Sequence, residues 1–152
     1  MYQLEVKRWL VHHHFPPKHG WKVHVDVDAM ERADHKPGKA ERAQKAENAL
    51  LNLGAHIMPH PKYGRVDIVA EHTQKGMYFV EVEGISSKQK EQAIYSALGQ
   101  LVLQMNGRDI NFVLAVPDDP NWEKQLQKIP LHAKKILNTS CILVSARGIR
   151  EV

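Results

Sequence analysis

Gly64-Arg65-Val66-Asp67-Ile68-Val69-Ala70 and Tyr78-Phe79-Val80-Glu81-Val82-Glu83-Gly84 decide how the whole chain is read. Both stretches have strand character, with β-branched Val and Ile prominent and apolar residues alternating or running together. Between them, Glu71-His72-Thr73-Gln74-Lys75-Gly76 is a polar run ending in glycine, which is hairpin chemistry. Two antiparallel strands would bring Asp67, Glu81 and Glu83 towards one another. Glu81 and Glu83 share one strand face, and Val80 and Val82 take the other. Carboxylates converging among apolar neighbours are costly to bury unless something positive lies between them. A divalent metal ion is the natural candidate.

Working outward, Lys39 to Leu53 has helical spacing. Ala40, Ala43, Ala46 or Ala49, Leu50 and Leu53 form an apolar stripe, and Gly54 is the expected stop. Ala55-His56-Ile57-Met58 is expected as a short strand closed by Pro59 and Pro61. After the hairpin, Ser86 or Ser87 would cap a helix whose apolar positions run from Ala93 to Met105. Asp109 to Val116 is a strongly apolar strand of the kind covered on both faces. A helix split by Pro130 and a last strand over Cys141–Val144 complete the chain. From Lys39 onward the order is helix, three strands, helix, strand, helix, strand. This is an α/β fold with a mixed central sheet flanked by helices.

Residues 1–30 read differently. Tyr2 to Val11 alternates loosely, and Trp21 to Asp28 alternates strictly, so an N-terminal β extension is expected beside a single unit over 31–152. The run His12-His13-His14 invites a metal reading, as does His24 with Asp26 and Asp28. Consecutive side chains on a strand point to opposite faces, which argues against the first.

The bulk numbers fit one domain of 152 residues with 25% charged and 43% hydrophobic residues. A net charge of +4 suits a polyanionic partner without requiring one. The single cysteine, Cys141, lies in an apolar run and reads as a core residue; it rules out an internal disulfide and fits a reducing compartment. With no signal peptide and no membrane-length apolar run, a cytoplasmic protein without membrane attachment is expected.

The order of elements over 39–116, with Asp67 and then Glu81-Val82 on successive strands, resembles the PD-(D/E)XK nuclease superfamily and its restriction-endonuclease-like αβββαβ core. The following Ala97-Leu98-Gly99-Gln100-Leu101 helix resembles that of many relatives. The resemblance implies a Mg2+- or Mn2+-dependent nuclease acting on DNA. Asp67 and Glu81 would be metal ligands, and a glutamate from the first helix would join them, Glu47 being preferred to Glu41. Many relatives are dimers, so a homodimer is an admissible state. One departure matters: Glu83 occupies the lysine position of the motif. Glu83 would then act as general base or hold a water, and Lys88 or Lys90 would supply the missing cation. Lys62, Arg65, Lys88 and Lys90 would hold the DNA backbone. Two other readings stand beside this one. In the first, the domain has lost catalysis with its lysine and serves in DNA binding or assembly. In the second, an α/β scaffold uses its histidines for structural metal.

Overall fold

The computed structural model describes residues 1–85 and 89–152. Their elements are helix α1 (Gln3–His14), strand β1 (Lys22–Val25), helices α2 (Ala29–Arg32) and α3 (Lys39–Leu53), strands β2 (Ile68–His72) and β3 (Gly76–Val82), helix α4 (Lys90–Leu103), strand β4 (Asn111–Pro117), helices α5 (Pro120–Leu126) and α6 (Leu131–Ile136), and strands β5 (Thr139–Ser145) and β6 (Gly148–Glu151). The strands form one sheet in chain order, β1 to β6. β1, β2 and β3 pair antiparallel, β3, β4 and β5 pair parallel, and β6 returns antiparallel. This is the α/β mixed sheet flanked by helices that the sequence implied.

The period-two alternation of the strands divides the core into two layers. Val23, Val25, Ile68, Ala70, Val80, Val82, Val113 and Ala115 face α1 and α3. Val69, Phe79, Phe112, Leu114 and Val116 face α4 and α5. Cys141 lies fully buried in the second layer, where burial pushes its thiol up to about 11, so it is a core residue as expected.

The N-terminal segment corrects the expected β extension. Tyr2–Val11 is not a strand, and no hairpin forms from residues 1–30. Leu4, Lys7, Leu10, Val11 and Phe15 instead make one buried helical stripe, with Lys7 as fully covered as its apolar neighbours. Glu5 reaches back to the Tyr2 amide and opens the helix (3.0 Å), and three histidines occupy its last turn, where the carbonyl ends favour positive character. Strand β1 does form where expected. It belongs to the main sheet, as the outer strand beside β2.

A second correction follows. Ala55–Met58 is not a strand of the sheet. His56 makes a single parallel bridge to His24, and Pro59 and Pro61 carry too few donors to extend it. The third antiparallel strand is β1, which precedes α3. α1 packs on α3 and across β3, β4, β5 and β6.

The start of α1 is fastened to the end of β3. Gln3 Nε2 donates to the Val82 carbonyl (2.8 Å), and the Ile85 amide donates to the Met1 carbonyl (2.8 Å). Gly84 makes room for this crossing: a Cβ there would stand 2.5 Å from the Gln3 nitrogen. No helix among the described residues is long and apolar enough to cross a membrane.

Candidate functional site: a carboxyl pair and a buried lysine

Asp67 enters β2 and Glu81 lies near the end of β3. Ile68 is paired with Val80, so Asp67 and Glu81 come side by side. The Val82 amide donates to Asp67 Oδ2 (2.8 Å), which fixes that carboxylate across the strand end. Glu81 is 4% exposed. Burial first, then the negative Asp67 beside it and the hydrogen bond they share, push the Glu81 carboxyl up to about 9. At neutral pH Glu81 therefore favours its protonated form, hydrogen-bonded to Asp67. Gln104, at the end of α4, donates its Nε2 to Glu81 Oε1 (2.8 Å).

A cation also stands beside Asp67. Lys7 Nζ lies 3.5 Å from Asp67 Oδ1 and 2.7 Å from Glu31 Oε1, and it donates to the Asp26 carbonyl at 2.6 Å. Burial pulls the Lys7 ammonium down, but Asp67, Glu31 and Asp26 together outweigh it, and its pKa lies above the ordinary lysine value. Lys7 is thus a fully buried permanent charge. Glu31, 8% exposed, is pushed up by its own burial against the pull of Lys7.

Three elements deliver these groups. A helical stripe aims Lys7 inward. Asp28 caps α2 by accepting from the Glu31 amide (2.8 Å), and the Glu31 carboxylate accepts from the Asp28 amide (2.9 Å), so a capping box sets Glu31 in place. The Asp26 amide, just past β1, donates to the Asp67 carbonyl at 3.0 Å and ties the strand ends together.

The residues expected from sequence fall into three groups. Asp67 and Glu81 are brought together. Glu83 lies just past the end of β3, its amide bonded to the Ala115 carbonyl (3.0 Å) and its side chain half-buried. Glu47 is placed otherwise: both of its oxygens are taken by Arg32, at 2.7 and 3.2 Å. The helical acid that shares a cation with Asp67 is Glu31. Lys88, with the Ser86 and Ser87 cap, lies outside the described residues.

The basic residues make separate contacts. Arg65 is 70% exposed and pairs with Asp26 (3.1 Å). Lys62 stands 5.4 Å from the Tyr63 ring, and Arg108, which sequence reading passed over, lies 5.0 Å from the same ring. Lys90 sits 5.5 Å over Trp122.

The histidines do not converge on an ion. His60 Nδ1 accepts from the Lys62 and Tyr63 amides, and its Nε2 faces Glu71 at 2.8 Å. His24 stacks on His56 with ring centroids 4.9 Å apart. Asp26 and Asp28, read with His24 as one face, are spent on Arg65 and on the α2 cap. Among the described residues, no group of three or more His, Cys, Asp or Glu side chains is gathered closely enough to hold a metal ion.

Lys7, Glu31 and Gln104 were missed because each meets the pair only through the fold. One signal was present: a lone lysine centred in an otherwise apolar helical stripe, Leu4-Lys7-Leu10-Val11. No family model, curated protein or solved structure matches this chain.

Proposed function

We propose that this protein is a metal-dependent nuclease that hydrolyses phosphodiester bonds in DNA, built on a restriction-endonuclease-like αβββαβ core. In this reading the core is α1, β1, β2, β3, α4 and β4, with α2 and α3 inserted after β1. The observation that carries it is the Asp67–Glu81 pair: two carboxyls set together at adjoining strand ends, with burial first and Asp67 second pushing the Glu81 carboxyl up.

That arrangement lacks one positive charge on the Glu81 side. A divalent ion fits it, because Mg2+ and Mn2+ prefer hard carboxylate oxygens and are often held by only one or two of them, with waters and phosphate completing the shell. Asp67 and Glu81 would hold the ion, and its arrival would displace the Glu81 proton. When bound, it supplies Lewis-acid charge at the phosphate and activates water. Lys7 takes over the electrostatic part of the lysine that Glu83 replaces in the motif. It remains charged, and it stands beside Asp67. Glu83, just past the end of β3, would accept a proton from water. Lys62, Arg65 and Arg108, with Lys90 and Lys88, would hold the DNA backbone.

The alternative, a DNA-binding or assembly module without catalysis, is favoured by one observation. Lys7 is already committed to Glu31 and to the Asp26 carbonyl, so it is not free to meet a phosphate.

Cleavage of plasmid, linear and branched DNA with Mg2+ or Mn2+ tests the proposal. Wild type should cut, and Asp67→Ala and Glu81→Ala should lower the rate by about a thousandfold or more, as expected when a metal ligand is lost. Equal cutting by the variants, or none by wild type, ends the nuclease reading. DNA binding that persists without cleavage and without metal selects the inert module.

A further inference from the structure

We infer that the side-chain amide of Gln104 provides the third oxygen of the cation site, alongside Asp67 and Glu81. This rests on the metal-site reading above and extends it to a residue that no motif marks.

The two ends of the amide behave differently. Nε2 donates to Glu81 Oε1 at 2.8 Å. Oε1 is buried and has no hydrogen-bond partner among the described residues. A carbonyl oxygen cut off from water and left unbonded costs free energy, and in native proteins such an atom usually faces an ordered water or an ion. The two amide atoms share one carbon, so the orphaned oxygen lies beside the carboxyl that its own nitrogen holds. The space beside Glu81 is therefore within reach of this oxygen.

Its chemistry suits that space. An amide oxygen is a hard neutral donor, which Mg2+ and Mn2+ accept directly or through a water. Neutrality matters here. Asp67 and Glu81 already stand side by side at adjoining strand ends, where two carboxylate charges repel. A third carboxylate would add to that repulsion, whereas an amide adds a ligand without a charge. This also explains how a site can be complete when no third acid is gathered around the pair among the described residues.

The position is fixed rather than incidental. Gln104 is the C-terminal cap of α4, its amide bonded to the Leu101 and Val102 carbonyls. The chain then turns away through Gly107 at φ 84°.

Mn2+ binding to the metal-free chain, followed by the electron paramagnetic resonance signal of free Mn2+ at one fixed pH near 8, tests this without reference to cleavage. Wild type, Gln104→Met, Gln104→Glu and Asp67→Asn are compared, each shown to be folded by circular dichroism. Gln104→Met keeps the shape and removes the oxygen, and should weaken binding about tenfold. Gln104→Glu returns an oxygen to the same place with a charge, and should bind Mn2+ at least as tightly as wild type. Weaker binding in both variants would mean that Gln104 only props Glu81, and would overturn the inference. Unchanged binding in both, with loss in Asp67→Asn, would overturn it while leaving the metal site standing. Absence of Mn2+ binding in wild type would remove the inference and the metal-site reading together.

Discussion

Two places in this molecule set carboxylates around one cation, and they are solved in opposite ways. At the surface, Arg150 of β6 meets Asp118 and Glu123, with four contacts between 2.7 and 3.1 Å. In the interior, Lys7 meets Glu31 and Asp67, with Glu81 beside Asp67. The guanidinium offers five donors in a plane and satisfies two carboxylates in parallel. Its hydrogen bonds hold Glu123 below the usual carboxylate range. The ammonium offers three donors, one of which goes to a backbone carbonyl. It reaches one side of Asp67 and leaves Glu81 to keep a proton. Water could make up any shortage at the surface. In the interior the shortage persists, and it is what makes the Asp67–Glu81 pair receptive to a cation.

Removing each cation breaks the comparison most directly. Lys7→Met should cost on the order of 3–5 kcal/mol, the usual penalty for stripping a buried ion pair of one partner. Urea unfolding measures this, and a loss below about 1 kcal/mol would mean that Glu31 and Asp67 are satisfied without Lys7. Lys7→Arg supplies the missing donors in a cavity shaped for a slimmer side chain. Its expected cost is smaller, about 1–3 kcal/mol from overpacking, read from the same denaturation curves.

Glu81→Gln sharpens the contrast through pH. The folded pKa of Glu81, about 9, lies above the ordinary value of 4.5, so the native state binds the extra proton between those limits. Stability therefore falls as pH rises through that window. Glutamine carries no such dependence. The variant should match wild type near pH 5 and melt higher near pH 8, by roughly 5 °C. Mg2+ should close that gap by stabilising wild type alone. Equal melting points at both pH values would remove the Glu81 proton from the description. The smallest effect belongs to the surface: Arg150→Ala should lower the melting temperature by no more than about 2 °C, and 1 M salt should erase most of the difference.

The same contrast explains what could be read from the sequence. The β2–β3 hairpin, α4 and β4 are legible because their patterns are local: alternating Val and Ile around a Gly76 turn, and apolar positions at helical spacing. Asp67 and Glu81 follow from that hairpin alone. α1 is not legible, because its buried stripe contains Lys7, and a lysine in the pattern breaks the helical period and leaves a loose alternation. The lysine is explained by Glu31 and Asp67, which reach it only when the sheet has formed. Ala55–Met58 looks like a strand by composition, yet the neighbouring prolines leave it one bridge. β6 passed unnoticed because it is a short edge strand with an exposed Arg150. Glu47 was preferred for bordering an apolar stripe, and sequence gives no sign that Arg32 would claim it.

Lys7 also carries a consequence for the order of assembly. It is synthesised before Glu31, Asp67 and Glu81, the groups that make its burial tolerable. Docking α1 onto the sheet any earlier would desolvate a bare ammonium. The helix must therefore wait, however apolar its other positions are, until β2 and β3 have paired and Asp67 is in place. This long-range closure makes α1, which precedes those groups in the chain, a late element to be protected. Pulse-labelled hydrogen exchange during refolding should find its amides shielded after those of the β2–β3 hairpin, and Lys7→Met should advance that step relative to the hairpin even as it weakens the final structure.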